Sequence, residues 1–181
     1  ALSASRAGLS NVKEAAAQNA LRLHLGVTAS RLAAASAAQS AQRKQALLAA
    51  HALLTEAEAK ARASQDHRAR SFALGELGIL YAQERRVSEA LSLARRALSA
   101  SQAADESGKA GSSADARMRW HGLEGRLLWQ QGQAQEAVEA YSRAVALAEA
   151  SHQDTRLRYG AGSAWFQDEV ARLYRELVDV L

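Results

Sequence analysis

The chain has no cysteine, no proline and one methionine, and aromatic side chains make up only 5% of its 181 residues. Without thiols there is no disulfide framework, no thiolate metal site and no cysteine nucleophile, and redox chemistry leaves no mark of a compartment. No apolar run approaches the ~18 residues that would cross a bilayer. Charge of one sign is also scarce: the net charge is +4, acidic and basic residues are interleaved, and short clusters such as Arg85-Arg86 and Arg95-Arg96 suit a solvated helix face. A soluble, cytoplasmic chain is the expectation. Hydrophobic residues nevertheless reach 48%, with alanine dominant, which favours helices packed through small side chains over a sheet with Gly/Pro turns. The length suits one domain or one short array of repeats. A start at Ala1 with Met118 as the sole methionine reads as a processed or excised piece of something longer.

What is present is a repeated pattern. Between Arg117 and Ala150 a first helix carries Trp120, Leu123, Leu127 and Leu128 on one side, Gly132 breaks it, and a second carries Ala137, Tyr141, Ala144 and Ala148 at helical spacing. Between Arg70 and Ala100 the same roles fall to Leu74, Leu77, Gly78 and Tyr81, then Ala90, Ala94, Ala97 and Leu98. Gly78 precedes Ala90 by twelve residues and Gly125 precedes Ala137 by twelve, while Ala90 to Ala97 and Ala137 to Ala144 are both seven. A small residue inside each helix is what a close crossing requires. The pattern predicts an all-α stack of antiparallel helix hairpins, about seven helices in one domain.

In chain order, residues 1–10 read as a loose lead-in, and Asn11 with Glu14 has capping-box spacing. A helix with Val12, Ala16, Ala20 and Leu23 as its stripe would stop at Gly26, and 30–42 is helical by propensity alone. Leu47, Ala50, Leu54, Ala57 and Ala61 form a better seam. Residues 1–64 are thus degenerate N-terminal helices. Asp66 caps the clear repeat over 66–104. The polar run 105–113 reads as a flexible inserted loop, because matching positions of the repeats lie 47 apart against the ~34 of a minimal two-helix unit. The second repeat occupies 114–152, a turn or irregular segment with Gly160 and Gly162 follows, and 164–181 is a C-terminal capping helix with Val170, Leu173, Leu177 and Leu181 on one side, and Phe166, Tyr174 and Val178 beside them.

The placement of Leu74, Leu77, Gly78, Tyr81, Ala90 and Ala97, and of Gly125, Gly132, Ala137, Tyr141 and Ala144, resembles the tetratricopeptide repeat. Glu124 and Leu128 stand where leucine and tyrosine are usual, Ala94 replaces a bulky aromatic, and neither copy ends in proline. The phrase RWHGLEGRLLWQQGQAQEAVEAYSRAV with the later VARLYRELVDVL is similar to the repeat region before the caspase-like domain of bacterial CHAT proteins, over roughly Ala50 to Leu181. The resemblance implies a right-handed superhelix and a helper module of a larger, proteolytic protein, with no catalytic residue carried over. It also implies a concave groove lined by Phe72, Gly75, Ile79 and Gln83, then Arg119, Gly122, Arg126, Trp129 and Gln130.

Arg119, Arg126 and Trp129 could hold an acidic or C-terminal peptide, since guanidinium groups bind carboxylates bidentately and an indole offers apolar area. Equally, Trp129 could bury against the neighbouring hairpin with the arginines solvated. The clamp by which some such domains hold chaperone tails is missing, with Phe72 and Ile79 on that wall. His24, His51, His67, His121 and His152 never stand four residues from another ligand, so no metal or cofactor is expected. The glycine pairs Gly75/Gly78 and Gly122/Gly125 lie within helices rather than after strands, and Glu56/Glu58 and Asp168/Glu169 suit solvated faces, so the expectation is a non-enzymatic scaffold whose partner is a peptide, a sister domain or the downstream caspase-like domain. Competing readings are an arginine-rich nucleic-acid module, since 19 of the 23 basic residues are arginine, and a homo-oligomer formed through the last helix.

Overall fold

The computed structural model describes residues 15–37, 40–108, 113–159 and 164–181, with the backbone alone for 151–159 and 164–167. The Asn11/Glu14 box, Val12, Gly160 and Gly162 lie outside these residues, as does the side chain of Phe166. Seven helices and no strand occur among the described residues: α1 Ala15–Ala35, α2 Ala41–Ala63, α3 His67–Gln83, α4 Val87–Ser107, α5 Ala114–Gln130, α6 Ala134–Tyr159 and α7 Ala164–Val180. None of them is long and apolar enough to cross a membrane.

Local chemistry sets the helix ends. Ser40 and Asp66 accept the amides of Arg43 and Ala69, satisfying donors that the first turn leaves unpaired. Three joins share one stop: Gln65, Arg85 and Gly132 take positive φ, and the next amides, of Asp66, Arg86 and Gln133, return to the carbonyls of Ala61, Tyr81 and Leu128. This is the Schellman arrangement. Only one of the three left-handed residues is a glycine.

Each helix packs on the next, α1 on α2, α3 on α4 and α5 on α6 as antiparallel hairpins. Across hairpins the backbone contacts are one-sided: α1 meets α3, α3 meets α5 and α5 meets α7, whereas among the described residues no two second helices approach backbone to backbone, and α2 and α4 are linked by side chains alone, Glu58 with Arg96 at 3.9 Å. The first helices therefore crowd one face of the stack and the second helices spread over the other.

Small residues admit the close crossings. A Cβ on Gly78 would meet the Ala90 carbonyl oxygen at 3.3 Å, and one on Gly125 would meet the Tyr141 ring at 3.0 Å. The main core runs continuously from α3 to α7, and a smaller cluster of Ala29, Ala50 and Leu80 attaches the first hairpin.

The structure moves several boundaries. Helix α1 continues through Gly26, where a Cβ would lie 2.8 Å from Leu54; this glycine is a crossing point, not a stop. The buried side of α1 is Asn19, Gly26, Ala29, Ser30 and Ala33, leaving Ala16 and Ala20 exposed. Helix α4 extends to Ser107, and Asp105 at its end accepts the Ser113 amide at 2.6 Å and pairs with Arg117 at 3.0 Å. Helix α6 runs on to Tyr159, through part of the expected irregular segment. In α7, Val180 packs on the core in place of Leu181, which is 83% exposed, because Val170, Leu173, Leu177 and Val180 keep the alternating three- and four-residue step.

Candidate functional site

The residues expected to line a groove sit on the crowded face, and the protein's own side chains fill much of it. Gly75 of α3 lies beneath Trp120 of α5, whose ring a Cβ would approach to 2.4 Å, and Gly122 of α5 lies beneath Leu173 of α7, at 2.5 Å. These two glycines are 47 residues apart and play the same part. Each is the flat spot onto which the next first helix sets a large side chain.

Trp120 is fully buried. Its indole N–H donates to Ser71 Oγ at 3.0 Å, and the Ser71 hydroxyl donates to the Ala97 carbonyl at 2.8 Å. A hydroxyl can accept and donate at once, so this relay ties α5, α3 and α4 with every polar atom in it satisfied. Phe72 is half-buried and meets the indole edge-on, with centroids 5.8 Å apart, a favoured aromatic geometry. Ile79 is half-buried on the main core, and Gln83, also half-buried, donates to Ser30 Oγ at 3.3 Å.

Both groove arginines are held by carboxylates of neighbouring helices. Arg119 donates to Glu76 of α3 at 2.9 Å and lies 4.9 Å over the Trp120 ring. Arg126 donates to both oxygens of Glu176 of α7, at 3.2 and 2.9 Å. At the end of α5, Trp129 is 47% exposed and Gln130 is exposed, so the indole neither buries against a hairpin nor closes the face.

Buried carboxylates knit the stack elsewhere. Glu58 of α2 meets Arg70 of α3 at 3.0 Å. Glu124 of α5 accepts Arg95 of α4 at 3.0 Å and faces His121 Nδ1 at 3.3 Å. The hydrogen bond from His121, and then that from Arg95, holds the Glu124 carboxyl below the usual range. The Tyr141 hydroxyl is pushed up by burial, with nearby Glu176 adding to it.

Sequence reasoning passed over Glu76, Glu124 and Glu176 as partners. For Glu76 the signal was its place between Gly75 and Gly78, on a face that small residues mark as crowded, and for Glu124 its place where a leucine is usual; Glu176 gave none, since its arginine lies 50 residues away.

A cavity of about 290 Å³ opens at the α2–α3 turn beside Asp66, His67 and Arg68, away from the groove residues. Among the described residues no group of three or more His, Cys, Asp or Glu could hold a metal ion. No protein-family model matches the chain, and no curated protein matches it at a significant level.

Proposed function

We propose that the chain is a non-enzymatic protein-interaction scaffold of the tetratricopeptide type, a right-handed superhelix that receives a peptide or sister domain on the face lined by α1, α3, α5 and α7. The observation that carries this reading is the one-sided contact between first helices, which leaves them an inner face of their own. At its open end Trp129 stands exposed beside Arg126, whose carboxylate partner Glu176 is itself 23% exposed. An apolar side chain seated on the indole would be the anchor, and an acidic group next to it would exchange with Glu176 for Arg126. Anchors of this kind carry most of the energy of an interface.

Selecting peptides from a random display library on the intact chain tests this. Selected peptides are expected to lose about tenfold or more in affinity with Trp129→Ala, and also with Arg126→Glu. Peptides indifferent to both changes, or no enrichment at all, would overturn it. The further proposal that the scaffold serves a caspase-like domain, as in CHAT proteins, is tested by the reading frame after Leu181; one lacking a paired His and Cys sinks it.

The arginines favour a protein partner over nucleic acid. Arg22, Arg43, Arg70, Arg95, Arg117 and Arg126 already sit in ion pairs that mostly join different helices. Affinity for DNA or RNA that fell steeply with salt would reverse that preference.

A further inference from the structure

Helix α7 has two apolar sides, and the stack buries only one; on the other the Tyr174 hydroxyl donates to Glu149 of α6, and the apolar surface stays open. Val170, Leu173, Leu177 and Val180 face the core. Ala171, Tyr174, Val178 and Leu181 form a second stripe at steps of three, four and three, all exposed, with Tyr174 at 40% and Val178 at 68%.

The register of the stack says what this stripe is. Trp120 sits on Gly75 and Leu173 sits on Gly122, so Leu173 takes in α7 the place that Trp120 takes in α5. Counting from this match, Ala171 corresponds to Ser71 of α3, and Val178 corresponds to Gly78 of α3 and Gly125 of α5. Those are the residues by which a first helix holds the second helix of its hairpin: Ser71 bonds Ala97 of α4, Gly78 abuts Ala90 and Ala94 of α4, and Gly125 abuts Tyr141 of α6. The stripe therefore continues an interface made twice already, at a position where no second helix is described.

Two substitutions within that register define the occupant. Val178 stands where both earlier helices have glycine, so the arriving helix must bring the small residues itself, alanine or glycine along its contact stripe. Arg175 stands where Gly75 and Gly122 accept the next first helix. A guanidinium side chain there blocks another hairpin from stacking on α7, a second copy joined end to end included. Pairing α7 with its own copy about a two-fold axis would bring Arg175 toward Arg175 of that copy, which like-charge repulsion disfavours. Helix α4, the nearest equivalent within the chain, carries Arg95 at this level, on the side facing the next hairpin.

We propose that the outer stripe of α7 docks one antiparallel amphipathic helix of a partner protein, with alanines against Tyr174 and Val178 and an acidic residue beside Arg175. This site is separate from the groove at Trp129 and does not depend on it.

The probe is a fluorescein-labelled peptide of the α4 sequence, residues 87–107, carrying Arg95→Glu, titrated with the intact chain and followed by anisotropy. Saturable micromolar binding is expected. It should weaken about tenfold or more with Val178→Glu in the protein, the equivalent of losing one buried valine contact, and be unchanged by Trp129→Ala. Arg175→Glu should favour the unaltered α4 peptide over the Arg95→Glu one. Because Val178 is exposed, an unchanged thermal melt is the control for folding, and Leu181→Ser serves if Val178→Glu fails it. Absence of saturable binding, binding indifferent to both stripe variants, or binding lost with Trp129→Ala overturns the proposal. So does concentration-dependent dimerisation abolished by Val178→Glu, which would make the stripe an interface between copies.

Discussion

The joint between α3 and α5 and the joint between α5 and α7 have one design and different fillings. In the first, a fully buried indole lies on Gly75, anchors its N–H through Ser71 to Ala97, and is roofed by an ion pair whose acid, Glu76, has a side chain only 6% exposed. In the second, a leucine lies on Gly122 with no polar anchor of its own, and the ion pair beside it has an acid 23% exposed. The same glycine-under-large-residue contact can thus be locked by hydrogen bonds or left to packing alone. The locked form ties the two central hairpins together, whereas the last helix is held by apolar packing and the Arg126–Glu176 pair, so α7 is expected to detach before the rest unfolds.

The comparison is broken most severely by Trp120→Ala, which removes the ring and leaves the Ser71 oxygen without its indole donor while its bond to Ala97 remains; a loss of about 3–5 kcal/mol is expected for such a truncation, read as a lowered midpoint for the whole chain in urea. Leu173→Ala should cost about 2–4 kcal/mol at its own site. Hydrogen exchange should speed up in α7 and leave α3 and α4 protected, and uniform acceleration would mean that the two joints fail as one.

Gly75→Ala and Gly122→Ala sharpen the contrast. The first drives a methyl into an indole fixed at its nitrogen, costing about 1–3 kcal/mol, whereas the second meets the tip of a leucine that can rotate away, so its thermal shift should be clearly smaller.

The mildest test uses pH. Glu124 of α5 bonds Arg95 of α4 and so joins the same two hairpins as the first joint, and in register its counterpart on α7 is Leu177. Its folded pKa lies below the unfolded value, chiefly through His121 and then Arg95. The stability it contributes is complete above the ordinary carboxylate range and disappears as pH falls through the folded value. Glu124→Gln should flatten that acid limb in urea titrations, and an acid limb that Glu124→Gln leaves unchanged would remove this carboxylate from the account.

Most of the helical stack was legible because alanine, leucine and glycine at helical spacing carry packing information locally. The seams Leu47, Ala50, Leu54, Ala57, Ala61 and Ala137, Tyr141, Ala144, Ala148 are buried but for a half-exposed Leu47. Punctuation was less readable. Gly132 marks a left-handed stop, but Gln65 and Arg85 adopt the same conformation without a residue type that announces it, and Gly26 serves a crossing instead of an end. The crowded side of the first helices was legible in part, but not what covers it. Arg119, Arg126, Gly75 and Gly122 are paired or filled by residues 43 to 51 positions away, beyond the reach of any local pattern.

Asp105 closes the gap between the two central hairpins from inside the fold. By taking both the Ser113 amide and the Arg117 side chain, it fixes where α5 begins relative to where α4 ends, whatever length of backbone travels between them. A tag, a reporter or a whole foreign domain spliced between Gly108 and Ser113 would hang from a clasp already fastened, which makes this the natural place to carry cargo without disturbing the surfaces on either side.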